Sequence, residues 1–178
     1  MEFEKQLEEW MKLDYVLPED LPNIELYMDQ VTTFLEEQLK NTKRFEEDKI
    51  FTKTMINNYA KNNLLPPPVK KKYSREHMLL LVFIYYFKNM LSFHDIEALF
   101  APITEGHFMD ASGLSLQDIY EEVFSMEYEQ MKRLKEDLLR KFHASEESFT
   151  DQKEDKDYLQ LFTFICALGF DVFLKKQA

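Results

Sequence analysis

The chain has 178 residues, enough for one sizeable domain or two small ones, and its 45% of apolar residues argues against global disorder. It contains only 3 Gly, which favours a mainly helical fold, and its single cysteine excludes an internal disulfide and a cysteine-based zinc site. The formal net charge is −11, yet residues 39–76 carry 10 Lys and Arg against 4 Asp and Glu. This basic segment indicates either a local anionic partner or a solvated face that pairs with the chain's own carboxylates.

The N-terminal third predicts two helices separated by a proline-containing stop. The first covers residues 2–13 and has apolar residues at helical spacing, namely Phe3, Leu7, Trp10 and Met11. The prolines within residues 17–22 cannot continue a helix. The second helix is predicted over residues 28–40, with Asp29 at its start, where a carboxylate favours the helix dipole. Charged residues 41–50 lack a stable apolar face and predict a loop.

The next predicted helix begins at Thr52, a good N-cap residue, and ends before Asn63, which tolerates the left-handed backbone that closes helices. Its inward side consists of Met55, Ile56 and Tyr59. Prolines 66–68 then force extended backbone. The short basic segment 69–73 predicts a two-stranded wing, formed with the segment directly before it.

Serines open the two helices that follow. Ser74 precedes a helix with a long apolar body over residues 78–90, and Ser92 precedes a shorter one over residues 93–100. Residues 102–114 hold two of the three glycines and predict a connector.

The C-terminal region predicts one long helix over residues 115–142, a charged linker over 143–157 and a last helix over 158–175 that is apolar on most faces. No apolar run reaches the roughly 20 residues that span a bilayer. The acidic N-terminus shows no secretory signal. We therefore expect a soluble, cytoplasmic protein that does not enter a membrane.

A constellation in the middle of the chain carries a family resemblance. A helix ending in Tyr59 is followed by "LLPPP" at residues 64–68, by a basic wing ending in "YS" at residues 73–74, and by "LSFHDIEAL" at residues 91–99. With these motifs, residues 52–99 resemble the DNA-binding domain of the mercury-resistance-type (MerR) regulators, which are winged helix-turn-helix proteins. The stretch from "LYMDQVTTFLEEQL" through "FTKTMINNY" to "KKYSREH" resembles an uncharacterised family of Gram-positive bacteria, known by its domain of unknown function.

The resemblance implies a mainly α fold with four segments. An N-terminal helix and linker occupy residues 1–22, and a MerR-like winged helix-turn-helix domain with a short two-stranded wing occupies residues 23–101. A connector over residues 102–114 leads to a C-terminal helical region over residues 115–178, which serves dimerisation or effector binding.

The implied function is that of a transcriptional regulator that binds specific sequences of double-stranded DNA. A short helix with polar outer positions fits the major groove, and lysines neutralise phosphates. The candidate DNA-binding residues of the helix are Thr52, Lys53, Thr54, Asn57, Asn58, Tyr59 and Lys61. Those of the wing are Lys70, Lys71, Lys72, Tyr73 and Arg75. The proline corner would hold the wing at a set angle to the helix, which lowers the entropy cost of binding.

The sequence departs from the family pattern at three places. Asn57 stands where family members usually carry arginine, and Asn63 stands where they usually carry glycine. The linker 41–51 is longer than the tight turn typical of the motif. Its cations Lys43, Arg44 and Lys49 either add phosphate contacts or belong to a simple surface insertion.

The C-terminal helices suggest self-association. A homodimer matches a palindromic DNA site, and a last helix that is apolar on several sides needs more partners than one chain supplies. The apolar repeat of residues 115–142 is irregular, so a small helical bundle fits better than a two-stranded coiled coil. The same bundle could hold a small-molecule or protein effector.

No catalytic constellation stands out. The histidines show no metal-ligand spacing, and Cys166 lies in an apolar helix as an inert thiol. We therefore expect no enzyme activity, no catalytic residues, no cofactor and no metal. The alternative to the regulator is a protein–protein interaction module that keeps the winged-helix fold without binding DNA.

Overall fold

The structure, a computed structural model, describes residues 2–11, 16–109 and 113–177. It is mainly helical with one small antiparallel sheet, which confirms the predicted mainly α fold with a two-stranded wing and C-terminal helices. The elements are α1 (Glu2–Trp10), β1 (Leu26–Tyr27), α2 (Met28–Leu39), α3 (Lys53–Lys61), β2 (Lys72–Tyr73), α4 (Arg75–Phe87), α5 (Phe93–Gly106), α6 (Leu116–Glu146) and α7 (Lys156–Lys175). Residues 12 and 13 and the side chain of Trp10, which belong to the first predicted helix, lie outside the described part.

The chain forms two compact units. The central unit comprises Leu13–Ser125, and the terminal unit comprises Met1–Lys12 together with Met126–Ala178. The division falls within α6. The predicted boundaries at residues 22, 101 and 114 stay a prediction.

The core of the central unit is built around α4. All eight residues of 77–84 are buried, as expected for a helix that is apolar on every side. Buried faces of the neighbouring helices complete the core; they are Val31, Leu35 and Leu39 of α2, Ile56 and Tyr59 of α3, Ile96 and Phe100 of α5, and Leu116 and Tyr120 of α6. The Tyr120 hydroxyl donates a 2.6 Å hydrogen bond to the carbonyl of Val16. Fully burying each large aliphatic side chain stabilises the fold by about 1.5–3 kcal/mol.

The sheet joins two segments that are far apart in the sequence. Leu26 pairs with Tyr73, and Tyr27 pairs with Lys72. The wing was predicted to pair with the segment directly before it. This prediction was wrong, because β2 pairs with β1, the strand that leads into α2. The pleat points Leu26 and Tyr73 into the core and leaves Tyr27 exposed.

Several helix ends differ from the predicted ones. Helix α4 ends at Phe87 rather than Met90, while α5 continues through Pro102 to Gly106 instead of stopping before the proline. Ile103 packs against the core, which favours the extra turn despite the missing proline N–H. Helix α6 likewise runs on to Glu146.

The terminal unit is held by aromatic contacts and ion pairs. The rings of Phe3 and Phe142 stack with centroids 4.2 Å apart, and Phe164 meets both rings edge-on. Lys141 of α6 forms ion pairs with Asp137 and with Asp171 of α7. These contacts pack α1, the second part of α6 and α7 against one another.

Helix α7 leaves most of its apolar surface exposed. Its 20 residues are long and apolar enough to cross a membrane by length and composition, and little of that surface is buried. Charged residues at both ends of α7 limit its uncharged stretch to residues 158–170.

Candidate nucleic-acid interface

Helix α3 forms as its sequence predicts. The Thr52 hydroxyl accepts a 3.2 Å hydrogen bond from the Met55 N–H, which confirms the predicted N-cap. Asn63 has φ of 57°, which confirms the left-handed residue after the helix. Ile56 is buried, so the opposite side of the helix faces solvent with Lys53, Thr54, Asn57, Asn58 and Lys61.

Tyr59 belongs to the core rather than to this exposed side. Only 3% of its surface is exposed, and its ring lies 6.1 Å from Phe51 and 5.9 Å from Phe93 between centroids. Burial raises the pKa of its hydroxyl. A side chain buried to this extent is not available to contact DNA, so Tyr59 anchors α3 in the core instead.

The wing ends in a tight turn with two lysines at its tip. The backbone of Val69 and Lys72 exchanges two hydrogen bonds of 3.1 and 2.9 Å, which leaves Lys70 and Lys71 as a two-residue loop. Their φ angles are 50° and 65°. Two consecutive left-handed residues define a type I′ turn, which strongly prefers Asn-Gly. Lysine at each place costs the backbone about 1–2 kcal/mol, so this tip is more strained than it needs to be.

The outward side of the wing combines aromatic and charged groups. The Lys72 ammonium lies 5.6 Å from the centroid of the exposed Tyr27 ring and 3.9 Å from a carboxylate oxygen of Glu25. Tyr27 was missed by the sequence analysis, because only the pairing of β1 with β2 brings it to the wing.

Two predicted wing residues are tied into the fold. Tyr73 is buried, so it is removed from the predicted contact set. The guanidinium of Arg75 donates 2.8 and 2.6 Å hydrogen bonds to the Asn23 side chain and the Pro18 carbonyl. Arg75 thus fastens the segment before β1 to the start of α4, and its contact with DNA stays a prediction.

His77 fixes the proline corner, a role that the sequence analysis did not assign. Its Nδ1 accepts a 3.0 Å hydrogen bond from the Ser74 N–H, and its Nε2 lies 3.2 Å from the Pro66 carbonyl. This pattern requires a neutral ring that donates from Nε2. The ring packs between Tyr73 and Phe108, and burial lowers its pKa. The sequence signal is the spacing of His77 three residues after the cap Ser74.

The start of α3 and the wing border the same short segment. Lys53 forms an ion pair with Asp29, while Lys72 contacts Tyr27 and lies near Glu25. We call the surface formed by the outer side of α3 and the wing the basic face; its polar residues are Lys53, Asn57, Asn58, Lys61, Lys70, Lys71 and Lys72. On α3 the amide of Asn57 lies between Lys53 and Lys61, and the wing contributes three further lysines.

The family comparison coincides with the central unit. The family model described as Domain of unknown function (DUF1836) matches residues 16–123, nearly the whole of that unit. No curated protein and no solved structure matches the chain. Because the match covers more than half of the sequence, the chain belongs to the DUF1836 family.

Proposed function

We propose that this protein is a cytoplasmic transcriptional regulator of the MerR-like winged-helix type, which binds specific sequences of double-stranded DNA as a homodimer. The observation that carries the proposal is the basic face, where a short capped helix with a polar outer side and a rigid two-lysine turn border the same segment, residues 25–29.

Helix α3 is the groove-reading element in this proposal. A major groove admits one helix, and an asparagine side chain can bond both N6 and N7 of adenine. Asn57 lies one helical turn from Lys53 on one side and from Lys61 on the other, so two cations flank the central amide. The lysines bind phosphates and set the register, while Asn57 and Asn58 read the bases.

The strained wing tip supports a functional role for Lys70 and Lys71. Stability alone would favour Asn-Gly in a type I′ turn. Non-glycine residues in left-handed backbone concentrate at functional sites, where strain is tolerated for what the side chain does. The turn fixes the backbone that carries the two lysines, so only their side chains have to be ordered when they bind phosphate.

Two carboxylates tune the affinity of the basic face. Asp29 pairs with Lys53, and Glu25 lies near Lys72. These groups are solvent-exposed, and such ion pairs contribute at most about 1 kcal/mol each. DNA phosphates can therefore replace them at small cost, and the carboxylates reduce indiscriminate binding.

Helix α7 supplies the proposed dimer contact. Its exposed stripe, the α7 stripe, consists of Tyr158, Phe162, Ile165, Gly169 and Val172, spaced four and three residues apart in alternation. Open space surrounds Gly169, where the backbone of a facing helix can approach closely. Acidic Asp157 lies near the start of α7 and Lys176 at its end, so two antiparallel copies would place opposite charges together. Such a pairing is self-complementary, as a twofold dimer requires.

A protein–protein interaction module is the second candidate. Large apolar side chains are exposed around the wing, namely Ile24 at 69%, Tyr27 at 54% and Val69 at 58%. Aromatic and aliphatic anchors of this kind are typical of protein interfaces. An effector of the terminal unit, whether a protein or a small molecule, is compatible with either candidate.

Binding isotherms on the DNA upstream of the protein's own gene test the proposal. We expect affinity to fall steeply with salt, with a slope of about 0.9 for each neutralised phosphate. Asn57→Ala should cost about 1–3 kcal/mol on the specific duplex and little on a scrambled one. Lys61→Ala should weaken both duplexes and flatten the salt slope by about one unit. An intact fold by circular dichroism with no salt-dependent DNA binding would leave the interaction module as the better account.

A further inference from the structure

A cavity of about 300 Å³ lies between the loop that joins α2 to α3 and the end of α4. Four cations line it, namely Lys43, Arg44, Lys49 and Lys88, against one carboxylate, Asp48. Its size is at the lower end of the range of small-molecule sites. The cavity belongs wholly to the central unit, and neither α3 nor the wing lines it.

Lys88 is held at this cavity without a matching negative charge. Its ammonium donates a 2.7 Å hydrogen bond to the Ile50 carbonyl and lies 4.9 Å from the ring centroids of both Phe51 and Tyr85. In the described part of the chain, no carboxylate is within ion-pair distance of it. Burial lowers its pKa, and Asp48 only partly opposes this. An ammonium has three donors, and the Ile50 carbonyl accepts from one of them.

The other charges leave the cavity positive. Lys43 is neutralised by its ion pair with Glu36, but Arg44 and Lys49 form no ion pair among residues 2–11, 16–109 and 113–177. The Asp48 carboxylate accepts a 3.2 Å hydrogen bond from the Phe45 N–H, which turns it toward its own loop. Arg44, Lys49 and Lys88 thus face one lining carboxylate that already has a partner, and Glu36, outside the lining, attracts Lys49 at longer range.

One wall of the cavity joins the loop to α4 through polar contacts. The Thr42 hydroxyl donates to the Leu39 carbonyl over 2.6 Å, so it accepts the 2.5 Å hydrogen bond that it shares with the Tyr85 hydroxyl. This chain of bonds fixes the Tyr85 ring beside Lys88. Preformed polar walls of this kind orient a small charged ligand.

We propose that this cavity binds a phosphate group, with Lys88 as its central ligand and Arg44 and Lys49 closing over it. The phosphate belongs either to a free phosphorylated small molecule or to a DNA backbone. Phosphate suits the site because its several oxygens can accept from three separate cations at once. The bound group would contact Lys88, which bonds Ile50, two residues before the cap of α3.

The test uses the full-length protein and pyrophosphate as the probe, with chloride at equal ionic strength as the reference. Calorimetry should show saturable binding of pyrophosphate to the wild type. Lys88→Met, which keeps the side-chain length, should weaken it about tenfold or more, as loss of one charged hydrogen bond does. The double variant Arg44→Gln/Lys49→Gln changes only exposed loop residues and should weaken it comparably without affecting the fold. Lys132→Met, an exposed cation of the terminal unit, should bind as the wild type does.

Absence of binding to the wild type, or equal affinities for the wild type and the loop double variant, would overturn the proposal. Addition of non-specific duplex DNA then identifies the source of the phosphate. Competition assigns the cavity to a DNA backbone, whereas simultaneous binding assigns it to a free ligand, and both results support the site. The first part contains no DNA, so its outcome does not depend on the proposed regulator function.

Discussion

The two units of this protein treat their apolar residues in opposite ways. The central unit buries them around α4, which is enclosed over its whole middle. In the terminal unit, α7 buries Phe164 but exposes more than half of the surface of Phe162, Ile165 and Phe170. The family match covers the first unit and not α7. The contrast teaches that the central unit encloses a continuous apolar core, whereas α7 of the terminal unit presents an exposed apolar surface of the kind that marks an interaction site.

The largest effect is expected from charging the α7 stripe. Ile165→Lys places a cation in the middle of the proposed dimer contact, and we expect a monomer at micromolar concentration by light scattering, with helicity unchanged. Buried unpaired charge costs several kcal/mol, enough to dissociate such a contact. Leu99→Lys, at an exposed apolar residue of the central unit, is the matched control and should leave the oligomeric state unchanged.

A wild type that is monomeric at this concentration would contradict the dimer. If the monomer instead bound neutral lipid vesicles through α7, the covering partner would be a membrane, as the length and composition of the helix permit.

The wing tip offers the next largest effect, because there stability and function should change in opposite directions. Lys70→Asn with Lys71→Gly supplies the residues that a type I′ turn prefers, and should stabilise the central unit by about 1–2 kcal/mol in urea unfolding. The same change removes two phosphate contacts, so the salt slope of DNA binding should fall by about two units.

Replacing Lys70, Lys71 and Lys72 together by Ala provides the comparison at the wing. It should weaken binding to all DNA sequences alike without the gain in stability. An altered sequence preference at constant affinity would instead make the wing a reader of bases.

We expect the stability of the central unit to depend on pH through His77, which holds the proline corner. Burial lowers the pKa of His77 below 6.5, although the Pro66 and Pro67 carbonyls and, less strongly, Glu76 and Glu25 act in the other direction. The unfolded chain therefore takes up a proton that the folded chain does not. The contribution of His77 is complete above pH 6.5 and is lost as the pH falls below it. Urea unfolding across this range should show the loss in the wild type, and His77→Gln should flatten it.

His94→Ala is the control for this experiment, because His94 is exposed. It should follow the wild-type profile. If His77→Gln kept the full pH dependence, protonation at the corner would not be its cause.

The smallest effect is expected at the end of α3. Asn63 has left-handed backbone, which glycine adopts without cost. Asn63→Gly should raise the free energy of unfolding by less than about 1 kcal/mol and leave DNA binding unchanged, because the residue lies beyond the reading face. A loss of stability would show that the asparagine side chain contributes more than its backbone conformation.

Local signals in the sequence predicted local structure well. The caps at Thr52, Ser74 and Ser92 and the left-handed Asn63 depend only on residues within one helical turn. Such preferences can be predicted from the sequence, because the groups that complete the hydrogen bonds of a helix end are neighbours in the chain.

Contacts between distant segments could not be predicted from the sequence. The partner of β2 is some 45 residues upstream, and Arg75 bonds Asn23 and Pro18 across 52 and 57 residues. A basic residue beside a basic wing favours the prediction of a phosphate contact. In the fold, however, the Arg75 guanidinium donates its hydrogen bonds to Asn23 and Pro18. The burial of Tyr59 and Tyr73 likewise depends on which helices surround them, which periodicity alone does not state.

The hydrogen bond from Tyr120 to Val16 has a consequence for how the domain joins its flanking segments. It joins residues 104 positions apart, next to the two limits of the family match at 16 and 123. The two ends of the domain are therefore adjacent in space. A module with adjacent ends can be inserted into, or extended by, unrelated sequence without disturbing its interior.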